Sequence, residues 1–133
     1  MTENDLKEIR NAEKAINAMN LELEALRYHA SGAGAIRYDK DKVQTSPEDF
    51  LSMVMDDIVE IDKQIEETRA KVDGLKGRAY SVIRRMSLQE HRTVLELYYL
   101  NGLSMANAAI HLNMSERSAY YLRDDAIKEF EKM

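Results

Sequence analysis

Ser104-Met105-Ala106-Asn107-Ala108-Ala109-Ile110-His111-Leu112-Asn113-Met114-Ser115-Glu116-Arg117 is the stretch whose spacing decides the fold. Ser104 and Ser115 each precede helix-forming residues, and a serine hydroxyl is well suited to accept an orphan N–H at a helix start. Two short helices that cross steeply over a tight turn need a small residue where they touch, and Ala109 is that residue. The turn needs a residue that tolerates positive φ, and Asn113 is the next choice after glycine. Leu112, Met114, Ala119 and Leu122 then bracket the crossing. This pattern predicts a helix-turn-helix over Met105 to Asp124. The plainer alternative is an αα-corner with no role on DNA.

Toward the N-terminus, Ser87-Leu88-Gln89-Glu90 reads as a capping box opening a helix. That helix carries Val94, Leu95, Tyr98 and Tyr99 and stops at Asn101-Gly102. A last helix runs from Ser115 towards Phe130. Residues 87–133 are therefore expected to form one domain.

Further out the pattern changes to long helices. Leu6, Ile9, Ala12, Ile16, Met19, Leu23 and Leu26 recur in steps of three and four, and Gly32 and Gly34 end the run. A connector, 31–46, follows, with Ile36, Tyr38 and Val43 among polar residues. Its Gly-Ala-Gly stretch lacks the strand and the closing Lys-Ser/Thr of a phosphate loop. Ser46, Pro47, Glu48 and Asp49 then announce a second helix. Leu51, Val54, Ile58, Ile61, Ile65, Thr68, Val72, Leu75, Ala79, Val82 and Met86 form an a/d seam along it. At the helical rise this element is roughly 55–60 Å long and the first about 40 Å. Gly74 and Gly77 mark a bend or a close approach.

Residues 1–86 are thus expected to be a coiled-coil-like hairpin. The shorter first helix leaves Val72 to Met86 to be covered by the C-terminal domain or by another chain. The seam admits two readings that do not exclude each other: a coil that dimerises or binds a partner, and a hairpin that only holds the chain together.

The composition agrees with an all-α fold. The 133 residues include 32% charged and 7% aromatic residues, five glycines, one proline, no tryptophan and no cysteine. The absence of cysteine excludes disulfides and thiolate metal sites, and with no apolar run near the ~20 residues of a membrane span the expectation is a soluble, cytoplasmic protein. His29, His91 and His111 are scattered. The one tight carboxylate cluster, Asp56, Asp57, Glu60 and Asp62, falls outside the seam and reads as a solvated face. No nucleophile–base pair appears, so neither an enzyme nor a cofactor is expected.

Leu103 to Ser115, followed by Ala126-Ile127 and Phe130, resembles region four of sigma-70-type factors, with Ile127 where leucine is usual. Tyr38-Asp39-Lys40-Asp41-Lys42-Val43-Gln44-Thr45-Ser46-Pro47 is similar to a segment of small phage and mobile-element proteins of Firmicutes. Those proteins are grouped with the RinA and ArpU regulators. The resemblance implies a DNA-binding transcription regulator with a C-terminal helix-turn-helix of sigma-region-four type.

In such a motif the early residues of the second helix meet the major groove. Here these are Ser115, Glu116, Arg117, Tyr120, Tyr121 and Asp124, with Arg123 beside them. Arg117 suits guanine and Glu116 suits cytosine N4. The tyrosines suit phosphates or a thymine methyl, and Ser104 and Ser115 suit phosphate at helix starts. Lys76, Arg78, Arg84 and Arg85 form a basic cluster just before the domain. Charge argues the other way: the chain carries −5, and Ser87–Met133 holds five Lys/Arg against seven Asp/Glu, a net of −2. Weak binding by a monomer follows, with affinity supplied by dimerisation or by RNA polymerase. Two alternatives remain open: a module that touches RNA polymerase or another factor without reading DNA, and a phage DNA-packaging recognition subunit.

Overall fold

The apolar stripe from Leu6 to Leu26 lies on helix α1, Glu3–Ala30, and the long seam lies on helix α2, Pro47–Arg84. In the computed structural model residues 1–31 and 47–133 are described. The expected connector therefore falls outside the described residues apart from Ser31, and so do the Ser46 cap and the stretch from Tyr38 to Ser46. Three shorter helices complete the chain: α3, Gln89–Leu95, α4, Met105–His111, and α5, Glu116–Lys132. A π-helical segment, Glu96–Leu100, continues α3. The described residues are all-helical, with five α-helices and no strand.

The helices sort into two compact units, Ile16–Arg69 and Met1–Ala15 with Ala70–Met133. This division cuts across the expected one at Met86, because the ends of both long helices pack with the C-terminal helices.

In the Ile16–Arg69 unit, Ile16 and Leu23 of α1 are buried with Val54, Ile58, Ile61 and Ile65 of α2, edged by Met19, Leu26, Ala30 and Phe50. Burying each such aliphatic side chain stabilises the pair by about 2 kcal/mol. The seam begins on Phe50, not on Leu51 as expected; Leu51 is 45% exposed. Phe50 stands four residues before Val54 and so lies on the same face, while Leu51 lies one step round the helix.

The other unit is built on Leu6 and Ile9 of α1 and Val72, Ala79, Ile83 and Met86 of α2. Val94, Leu95, Tyr99, Leu100, Ala126, Ile127 and Phe130 complete this core. Val72 to Met86 is thus covered within the chain, by the C-terminal helices and also by α1. The exposed apolar side chains of α2 lie instead near its start, at Leu51, Met53, Met55 and Val59. The expected seam position Val82 is only half-buried, and Ile83 is fully buried in its place. Gly74 and Gly77 mark neither a break in α2 nor a close approach. α2 runs through both, and an added Cβ at either would meet open space.

The expected capping box at Ser87 does not form: α3 has Leu88 at its N-cap, with no side-chain cap. Arg92 instead reaches back to the Met86 carbonyl at 2.7 Å, so the helix itself holds its entry while Met86 stays buried. At the far end the Asn101 N–H donates to Glu96 O at 2.9 Å, an i→i+5 bond that widens the turn. Gly102, at φ 71°, then lets Leu103 fold back to donate to Leu97 O at 3.1 Å.

Candidate nucleic-acid interface

α4 and α5 are joined by Leu112 to Ser115. Both serine caps form as the sequence indicates. Ser104 accepts from the Asn107 N–H at 3.2 Å and Ser115 from the Ser118 N–H at 3.1 Å. Asn113 is the one non-glycine residue at positive φ among the described residues, at 55°. That conformation lets the Met114 N–H return to Ala109 O at 3.1 Å. Ala108, Ala109 and Ala119 are buried where the helices meet, together with Met105, and Leu97, Tyr98 and Met114 close the edges. Small side chains here let two backbones approach without a cavity. Leu112 and Leu122 are half-buried and pack on the larger core.

The arrangement leaves the early part of α5 outward. Ser115, Glu116, Arg117, Tyr120, Tyr121 and Asp124 are all exposed, as is Ser104 at the start of α4. Arg117 leans on Tyr121, with its guanidinium 5.8 Å from the ring and Nη2 3.5 Å from the hydroxyl. Both groups remain in solvent, so this contact is weak and easily exchanged for another.

Arg123 differs from its neighbours. Its side chain is half-buried and donates to Asp124 Oδ1 at 3.1 Å, and it lies 5.0 Å from the Tyr120 ring and 5.2 Å from the Tyr98 ring. Burial opposes its charge most strongly, but the hydrogen bond to Asp124 and the surrounding charges prevail and raise its pKa. Arg123 is thereby committed to neighbours within the fold.

The basic cluster before α3 is divided too. Lys76 is paired with Glu13 at 2.7 Å and half-buried, which removes it from the outward cations. Arg78, Arg84 and Arg85 are exposed; Arg84 lies 5.9 Å from the Tyr80 ring, and Arg85 donates to Ser81 O at 3.3 Å.

Sequence reading missed the residue that holds this region from outside. Arg10, on α1, donates through Nη1 to Tyr98 O at 2.6 Å and to Leu103 O at 2.8 Å, with its guanidinium 3.7 Å from the Tyr98 ring centroid. Leu103 O lies one residue before the α4 cap, so Arg10 fixes where α4 starts. One signal was present: Arg10 follows Leu6 by four residues and therefore borders the buried stripe. Beside it opens a cleft lined by Glu3, Lys7, Arg10, Asn11, Tyr98, Tyr99 and Arg123. Burial is the main cause that pushes the Tyr99 phenol up to about 12.

His91 faces Glu129 across α3 and α5 at 3.5 Å. Asp56, Asp57, Glu60 and Asp62 are exposed. No group of three potential metal ligands occurs among the described residues. No described helix is long and apolar enough to cross a membrane.

Fold and surface together define an all-helical protein with two long helices and a capped, tightly turned C-terminal helix pair. A family model described as a protein of unknown function, DUF1492, matches residues 34–131, and the chain belongs to that family. No curated protein and no solved structure matches it.

Proposed function

We propose that this chain is a DNA-binding transcription regulator of phage or mobile-element origin, with α4 and α5 acting as a helix-turn-helix of sigma-region-four type. The observation that carries the reading is the outward face of early α5, held by two serine caps and the positive-φ turn at Asn113. The likeness of Leu103 to Ser115 to sigma region four supports it. In this reading α5 enters the major groove. Arg117 reads guanine, Glu116 accepts from cytosine, and Tyr120 and Tyr121 meet backbone or a thymine methyl. Ser104 and Ser115 stand by phosphates, and Arg84 and Arg85 add sequence-independent attraction. Arg123 acts indirectly, by bracing Tyr120. A homodimer, or a contact with RNA polymerase, adds the affinity that a net charge of −2 withholds from one copy.

The test is binding to duplex DNA from the native upstream region and to a scrambled control, across a range of salt. Arg117→Ala is expected to cost about 1–3 kcal/mol on the native sequence and little on the scrambled one. Equal binding to both sequences by the unaltered protein would remove direct readout.

A second reading has its own observation. Ile110 is 72% exposed on α4 and Tyr121 is 60% exposed on α5, beside few outward cations. Apolar and aromatic residues with little net charge suit a protein partner such as RNA polymerase. Absence of DNA binding even at low salt favours this reading.

A further inference from the structure

The C-terminal helices carry more acid than base, yet the cleft beside α1 is lined by three cations, Lys7, Arg10 and Arg123, against one carboxylate, Glu3. The cleft is open to solvent and offers about 370 Å³, far more than one water molecule needs. Two of its donors have no partner among the described residues. Tyr99 is only 2% exposed, yet it lines the cleft, and its hydroxyl makes no hydrogen bond to a described residue. The phenol feels the charges of both Arg123 and Glu3, which line the same space, and at neutral pH a tyrosine hydroxyl is protonated and able to donate. Arg10 spends Nη1 on two carbonyls, while Nε and Nη2 bond to no described residue. Its plane is already fixed against Tyr98, so these N–H groups are held in place before any ligand arrives.

Lys7 completes the set. It is tied to Glu3 only by an exposed pair at 3.5 Å, and such pairs exchange readily for a better anion. Arg123 contributes charge more than donors, since Nε and Nη2 already serve Asp124.

We propose that the cleft is a phosphate-binding site, in which the Tyr99 hydroxyl, the free N–H groups of Arg10 and the Lys7 ammonium donate to the phosphate oxygens. A tetrahedral oxyanion can accept from donors converging on it from several sides, and charge-assisted bonds of this kind are the strong ones. The phosphate comes either from a free phosphate group or from the phosphodiester backbone of DNA. The second source rests on the regulator reading above.

The test is a titration of the full chain with inorganic phosphate against chloride at constant ionic strength, followed by NMR. Saturable shifts are expected at the Lys7, Arg10 and Tyr99 amides, with affinity at least about tenfold weaker in both Lys7→Ala and Tyr99→Phe. Lys7 is exposed, so its variant folds even where Tyr99→Phe loosens the core. Absence of saturable shifts, or full affinity in Lys7→Ala, overturns the site. Duplex DNA then separates the sources. A salt slope reduced by about one in Lys7→Ala identifies the backbone phosphodiester, and an unchanged slope, with saturable phosphate binding by the unaltered protein that Lys7→Ala weakens, identifies a free phosphate. The phosphate titration contains no DNA, so its failure leaves the Arg117 experiment untouched, and the converse also holds.

Discussion

Between Ile16 and Arg69 the chain does one thing repeatedly. Aliphatic side chains at helical spacing bury one face of each helix. In the unit that holds the C-terminal helices, burial is joined by features that repetition does not produce. These are a π-helical segment, two serine caps, a positive-φ asparagine and an arginine bonded to two carbonyls. The contrast teaches where specificity resides. Aliphatic seams tolerate exchange of similar side chains. Fixed polar geometry does not, because a lost partner leaves a carbonyl or an N–H unmatched.

The largest expected effect tests whether the two cores are separate. Phe130→Ala should cost about 4 kcal/mol and Ile61→Val about 1 kcal/mol. Hydrogen exchange should then show Phe130→Ala stripping protection from α3 and α5 while residues 54–65 keep theirs; simultaneous loss in both would merge the cores into one. Next comes the polar geometry. Arg10→Ala is expected to lose about 3 kcal/mol in urea unfolding, since two carbonyls lose a charged donor. Arg10→Lys should recover less than half of that, because an ammonium cannot lie flat on Tyr98 and fork to two acceptors.

Alkaline pH gives a loss on the order of 2 kcal/mol. The phenol of Tyr99 ionises near 10 in the unfolded chain and is pushed up to about 12 in the fold. Stability from this group is therefore complete below pH 10 and is lost as pH rises through 12. Melting of Tyr99→Phe should lack that decline, and a decline of equal size would reassign it to other groups. The smallest effect distinguishes two serines. Ser115→Ala should cost about 1 kcal/mol as a lost cap, whereas Ser87→Ala should stay within about 0.5 kcal/mol, both read from thermal melts.

Ser87 also shows how far a sequence can be read. The Ser-x-x-Glu spacing is there, but the helix starts a residue later, because burying Met86 and bonding its carbonyl to Arg92 set the path into α3. Ser104, Ser115 and Asn113 were legible because each acts on backbone within a few residues of itself. The stripe of α1 and most of the α2 seam were legible because helical periodicity needs no partner to be seen. Ile83 was hidden because the buried face shifts where α2 meets several helices instead of one. Arg10 and Tyr98, 88 residues apart, were hidden because nothing local to either names the other. The outward residues of α5 were legible as a set, but the committed state of Arg123 depends on Tyr98, a distant residue.

The i→i+5 turn at Glu96–Leu100 also has a consequence for chain length. A π segment holds one residue more than the same stretch of α-helix would, so it behaves as a tolerated single-residue insertion. Removing one residue there restores ordinary helical geometry, and the chain remains continuous and helical. What it forfeits is the wide turn itself, which sets the path that brings the Tyr98 and Leu103 carbonyls to Arg10. Counting residues between Leu95 and Gly102 is therefore a simple way to recognise which related chains retain this clamp.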